Sequence, residues 1–206
     1  MSRKIIPIED RTLAEQRAIR AVGEILAGPG LKALDMDRVA RCARVSRSFL
    51  YRRFGDIAGL LTKFGETEAF WPTVEELLGD DPEEFERLSP AGQIARFFKR
   101  YLAAMRKRPA TLEIMAWEGL KRNELFTVLD RVRERTALEY FERMRVDPPE
   151  GVDLTAVILL LAGAVNFLAV RSRDRLSLGG VDVTSEEGWQ RIERSIDDLV
   201  LGALSE

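Results

Sequence analysis

Between Met36 and Phe54 stand six arginines (Arg38, Arg41, Arg44, Arg47, Arg52 and Arg53) against a single carboxylate, Asp37. Guanidinium forks bind phosphate oxygens and reach guanine edges through paired hydrogen bonds. Interleaved with them are Ser46, Ser48, Phe49 and Tyr51, which can bond a phosphate or base edge or meet a thymine methyl. If Ser46 caps a helix running to Phe54, a turn of about 100° per residue puts Leu50 and Phe54 on its inward seam. Ser48 and Arg52 then point directly outward, with Phe49 and Tyr51 on the shoulders. Arg47 and Arg53 lie nearer the edges, within reach of phosphates. Such a face has the chemistry of a reader of double-helical nucleic acid.

Elsewhere the chain is poor in catalytic chemistry. It has no histidine, which removes Ser-His-Asp and Cys-His nucleophile systems and nearly every zinc site. Cys42 is the lone cysteine, so no intramolecular disulfide forms and a reducing cytoplasm is expected. Paired carboxylates such as Glu75–Glu76 and Glu83–Glu84 sit in acidic runs that look solvated, leaving an all-α enzyme as a remote rival. No catalytic residue, metal or cofactor is expected.

The positioning elements read as helices throughout. In 206 residues, 46% are hydrophobic and 32% charged, enough for a sizeable core in one or two domains. Residues 1–61 hold twelve basic against seven acidic side chains, while the whole chain has a net charge of −2. A basic head thus sits on an acidic body, the asymmetry of a phosphate-facing footprint. Apolar residues recur at helical period, with no alternating run bounded by turns, so an all-α fold of about nine helices is expected. A first helix, Arg11–Ala27, ends at Gly28-Pro29-Gly30. Asp35 and Ser46 cap two short helices that are too short to be stable alone. They make sense as a helix-turn-helix braced by the first helix.

The segment from Asp35 to Leu61 resembles the DNA-binding domain of the tetracycline-repressor (TetR) family of bacterial regulators. Ala40, Ala43, Val45-Ser46, Leu50-Tyr51, Phe54-Gly55-Asp56 and Leu60-Leu61 carry the resemblance. It implies a DNA-binding domain over 1–56 and an effector-binding and dimerisation domain over 57–206. It also implies a cytoplasmic, ligand-responsive repressor that binds a palindromic operator as a homodimer. Carried over residue by residue, the DNA contacts are Ser46, Arg47, Ser48, Phe49, Tyr51, Arg52 and Arg53, with Arg44 a further candidate from the turn and Lys32 a candidate backbone contact. Three positions depart from the family pattern. Arg44 stands where glycine is usual, Phe49 where a small residue or threonine is common, and Ile57 where a phosphate-binding lysine often lies. A same-fold protein serving chromosome organisation or protein recruitment is the alternative.

In the body, Trp189, Ile192, Ile196, Leu199 and Ala203 recur at spacings of 3, 4, 3 and 4, a stripe suited to helix pairing. With Leu161 and Val165 of the preceding helix they form the expected dimer seam. That helix, apolar from Leu154 to Val170, is expected to be buried and not to span a membrane. Phe97, Phe98, Tyr101, Met105, Met115 and Trp117 are candidates to line a pocket for a small, mainly hydrophobic effector. Asn166 is either a polar handle on that ligand or a register-fixing bond across the dimer.

Overall fold

The computed structural model describes residues 8–79, 81–118, 124–144, 150–174 and 177–204. The fold is all-α. Among the described residues eleven helices follow in order: α1 (Ile8–Ala27), α2 (Met36–Ala43), α3 (Arg47–Phe54), α4 (Ile57–Gly65), α5 (Val74–Leu78), α6 (Pro82–Glu86), α7 (Pro90–Arg106), α8 (Pro109–Glu118), α9 (Glu124–Met144), α10 (Leu154–Arg171) and α11 (Glu186–Leu204). The two helices beyond the expected number are α5 and α6, each of five residues. Each is opened by a cap, Thr73 Oγ1 accepting from the Glu76 amide at 3.1 Å and Asp81 Oδ1 from the Glu84 amide at 3.0 Å. Helices this short carry no measurable apolar period.

A two-strand hairpin, β1 (Ser177–Leu178) with β2 (Val181–Asp182), stands where the sequence suggested only a loop. Gly179 and Gly180 turn it with φ of 56° and 80°. Two successive positive φ values are what a tight two-residue hairpin turn requires, and glycine meets that requirement without Cβ strain.

The chain forms two compact units. The first comprises residues 1–71 and 108–132, the second 72–107 and 133–206. In the first, α1 packs against α2, α4 and α8, around a core that includes Ala18, Val22, Leu26, Val39, Leu50 and Leu60. Ile114 of α8 and Leu129 of α9 join this core, and Thr111 Oγ1 donates to the Phe70 carbonyl. In the second unit α7 is the centre, packed against α5, α10 and α11.

Only part of α10 is covered. Leu161, Val165 and Ala169, each four residues on, are buried. Leu159, Leu160 and Phe167 are exposed at 67%, 75% and 60%. The expected burial of this helix is therefore not met within one chain. By length and composition α10 is apolar enough to cross a membrane, with a mean hydropathy of 2.1.

Candidate nucleic-acid interface

The two short helices are held by backbone chemistry that the sequence specifies. Asp35 accepts the Arg38 amide at 2.7 Å and opens α2; Ser46 Oγ accepts the Phe49 amide at 3.1 Å and opens α3. Each cap satisfies a donor that a helix start leaves unpaired. Between them the chain turns through Arg44, at φ 54° and ψ 47°. The Arg44 amide donates to Arg41 O at 3.3 Å and the Val45 amide to Ala40 O at 3.0 Å, a Schellman closure of α2. A left-handed turn of the kind glycine makes without strain is thus made here with arginine. Arg44 is the one non-glycine positive φ among the described residues.

Leu50 is fully buried, and Val45, Phe54 and Ile57 pack against the same core. Ile57 is therefore a packing residue at the start of α4, whose first turn is capped instead by Asp56 accepting the Gly59 amide at 2.9 Å. Outward from that core, Arg47, Ser48, Tyr51, Arg52 and Arg53 are exposed, as is Ser46 at the cap. Phe49 is half-buried and leans on the core, which leaves it only one edge to present.

The exposed cations are not equivalent. Arg47 pairs with Asp37 at 2.7 Å and Arg53 with Glu15 at 2.5 Å. A hydrogen bond that Arg47 donates to the Tyr51 hydroxyl oxygen, and then the Asp37 carboxylate, raise the Arg47 pKa above its ordinary value, and Glu15 does the same for Arg53. Both ion pairs are at least partly solvent-exposed, so they contribute little to stability. Their geometric effect is to hold the two guanidinium groups at the borders of α3. Ser48 and Arg52 are left as its outermost pair.

Lys32 is exposed, and its ammonium lies 5.4 Å from the ring centroid of Trp117. Glu113 Oε1 accepts both the Trp117 indole N–H at 2.9 Å and the Leu31 amide at 3.0 Å. Gly30, at φ 85°, leads into this cluster, and a Cβ there would come within 2.5 Å of Glu113 Oε1. The approach of α8 to the turn before α2 therefore needs glycine at that position. Trp117 and Met115 consequently belong to the first unit, where Trp117 packs against the head's core.

The other predicted pocket residues lie in the second unit. Phe97, Phe98, Tyr101 and Met105 are all buried on α7. Phe97 is the hub, 5.0 Å from Phe98, 5.8 Å from Tyr101 and 4.5 Å from Tyr140 between ring centroids. Burial pushes the Tyr101 hydroxyl well above the ordinary tyrosine range, so it stays protonated and donates to Asn166 Oδ1 at 2.6 Å. Asn166 is thereby engaged within the subunit.

The expected dimer seam divides in two. Leu161, Val165, Trp189 and Ile196 are buried inside the chain, where α10 and α11 pack on α7. Trp189 and Ile196 of the 3-4-3-4 stripe thus serve the subunit's own core, because helical spacing specifies a buried face but not the partner that buries it. Ile192 and Ala203 are half-buried, and Leu199 is 62% exposed. Leu201 joins Leu199 as an exposed leucine of α11. Leu199 is thus the member of the predicted stripe that stays open to a partner.

No family model and no curated protein sequence matches this chain. Solved structures match its fold over nearly the full length. FadR from Bacillus halodurans, a fatty acid degradation regulator, superposes with a TM-score of 0.64 at 13% identity, covering 99% of this chain and 100% of that one. A tetR-family regulatory protein from Rhodococcus RHA1 gives 0.63 at 17%, covering 93% and 96%. FadR from Bacillus subtilis, solved in complex with stearoyl-CoA, gives 0.62 at 13%, covering 92% and 97%. The chain has the fold of these regulators.

Proposed function

We propose that this chain is a transcription regulator of the TetR type, a repressor that binds a palindromic operator and is released by a small hydrophobic effector. The observation that carries the reading is the α2–α3 hairpin. A buried Leu50 seats α3 on the head while Ser48 and Arg52 stand outermost, the arrangement a helix needs to enter a major groove. Residues 1–56 supply the DNA contacts; the remainder supplies effector binding and dimerisation.

One such head reads too few base pairs for specificity, so two must act together. The uncovered row of Leu159, Leu160 and Phe167 on α10, with Leu199 and Leu201 on α11, is the surface for a second copy. Gly163 and Gly202 have open space where a Cβ would stand and leave room for close backbone approach. A partner copy is preferred to a bilayer because Leu161, Val165 and Ala169 already commit one side of α10 to the subunit's own core. The protein works in the cytoplasm, where its DNA is.

The effector site is assigned to the aromatic cluster around Phe97, Tyr101 and Met105, with the Tyr101–Asn166 pair as its polar element. A long-chain acyl ligand, of the kind in the Bacillus subtilis neighbour, suits that lining. Release requires the effector to bind the DNA-incompetent arrangement more tightly, and DNA then weakens effector binding by the same factor. Turnover of the effector has no place in this scheme, and the protein acts as a binder, not an enzyme.

Selection of bound duplexes from a random library by the purified chain tests the reading. One inverted repeat, its half-sites a helical turn or a multiple apart, supports it. Recovery without consensus, with binding that collapses as salt rises, leaves only phosphate attraction and overturns operator recognition.

A further inference from the structure

Outside the recognition helix, three arginines converge on one groove. Arg11 and Arg17 of α1 and Arg44 of the α2–α3 turn, together with Ala14, Ser46 and Phe49, line an open concavity of about 340 Å³. All three arginines are exposed, and none forms an ion pair with a described residue. This sets them apart from Arg47 and Arg53, which neighbouring carboxylates hold.

Arg44 adds a second observation. An L-residue in the left-handed region costs roughly 1–2 kcal/mol, and glycine would remove that cost together with the side chain. The turn has arginine, and the strained residue lines this groove. Such outliers cluster where the side chain has work to do. The groove also reaches Ser46, at the N-terminus of α3. There the partial positive charge of the helix end favours an anion in the same place. Three unpaired guanidinium groups and a helix N-terminus around an open, shallow concavity suit a chain of phosphodiesters, which lies along a surface and needs no enclosed pocket.

We propose that Arg11, Arg17 and Arg44 form a phosphate clamp that grips the DNA backbone bordering the groove entered by α3. The clamp rests on the reading that α3 binds DNA, and it assigns α1 a direct part in that binding. Its contribution is independent of base sequence. Together with Ser48 and Arg52 it separates the head into an anchor and a reader.

The test uses the full chain and the duplex recovered by selection, with affinities measured across a series of salt concentrations. Each phosphate contact contributes about 0.9 to the slope of log affinity against log salt. Arg11→Ala/Arg17→Ala should reduce that slope by about 2 and weaken cognate and scrambled duplexes by the same factor. Arg44→Ala should reduce it by about 1. The doubly conservative Arg11→Lys/Arg17→Lys should restore the slope, since the charges remain, and circular dichroism should be unchanged in every variant. Arg52→Ala should instead weaken the cognate duplex more than the scrambled one. Wild-type binding with an unchanged slope in the alanine variants overturns the clamp alone, as does a loss confined to the cognate sequence. A wild-type chain that binds no duplex overturns the operator reading and the clamp together.

Discussion

Replacing Arg44 with glycine should make the protein more stable, although it removes a charged side chain from the head. Arg44 sits at φ 54°, ψ 47°, where an L-residue carries a penalty of roughly 1–2 kcal/mol. The closure of α2 uses only backbone amides and carbonyls of Ala40, Arg41, Arg44 and Val45, so no hydrogen bond is lost. The Arg44 side chain is exposed and forms no ion pair with a described residue. Against the relief stands the greater freedom of glycine in the unfolded chain, about 0.4–1 kcal/mol. The balance is a gain of about 0.5–1 kcal/mol, which for a chain of this length raises Tm by about 1–4 °C. Arg44→Ala is the control, because alanine keeps the backbone penalty and loses only the guanidinium. Thermal unfolding followed by circular dichroism at fixed protein concentration should show Arg44→Gly above wild type and Arg44→Ala close to it. A lower Tm for the glycine variant, or equal shifts in both, would refute the assignment of strain to this turn.

Other perturbations probe the remaining contacts. Glu113→Ala strips the acceptor from the Leu31 amide and the Trp117 indole and should cost about 2 kcal/mol, read by chemical denaturation, while Glu113→Gln should cost about half. Leu160→Glu/Phe167→Glu places charge on the uncovered face of α10 and should leave a folded monomer in sedimentation experiments; a variant that remains dimeric removes that face from the interface. Glu193 has its pKa raised by burial and then by the Glu186 carboxylate, so the folded state holds its proton more tightly than the unfolded state. Its stabilising contribution is complete at acid pH and is lost as pH rises past the unfolded and then the folded pKa. Glu193→Gln should therefore raise Tm relative to wild type at pH 7 and lose that advantage at acid pH; the same offset at both would exclude the effect.

Local signals in the sequence carried far. The caps at Asp35 and Ser46 stand where their side chains predict, because a cap is settled within three residues. Periodicity placed the inward seam of α3 at Leu50. The turn at Arg44 was harder to read, since arginine does not advertise a positive φ. What the sequence could not carry was partnership over distance. Leu31 and Glu113 are 82 residues apart, and no local pattern ties a carboxylate on α8 to an amide before α2. The same limit explains the seam of α11. Trp189 and Ile196 are spaced to be buried, yet only the packing reveals α7 as their partner and Leu201 as an exposed neighbour of Leu199. It also explains Trp117, which shares its residue type with the α7 cluster but lies in the other unit.

The central claim is that α3 reads bases, and that Arg52 at its outermost position reads one of them. Anisotropy titrations of wild-type and Arg52→Ala protein should be run against the selected duplex and its single-base variants. Arg52→Ala should lose roughly 1–3 kcal/mol on the selected duplex, with discrimination relaxed at one position in each half-site and retained elsewhere. Equal weakening on every duplex, or none on any, would contradict the claim.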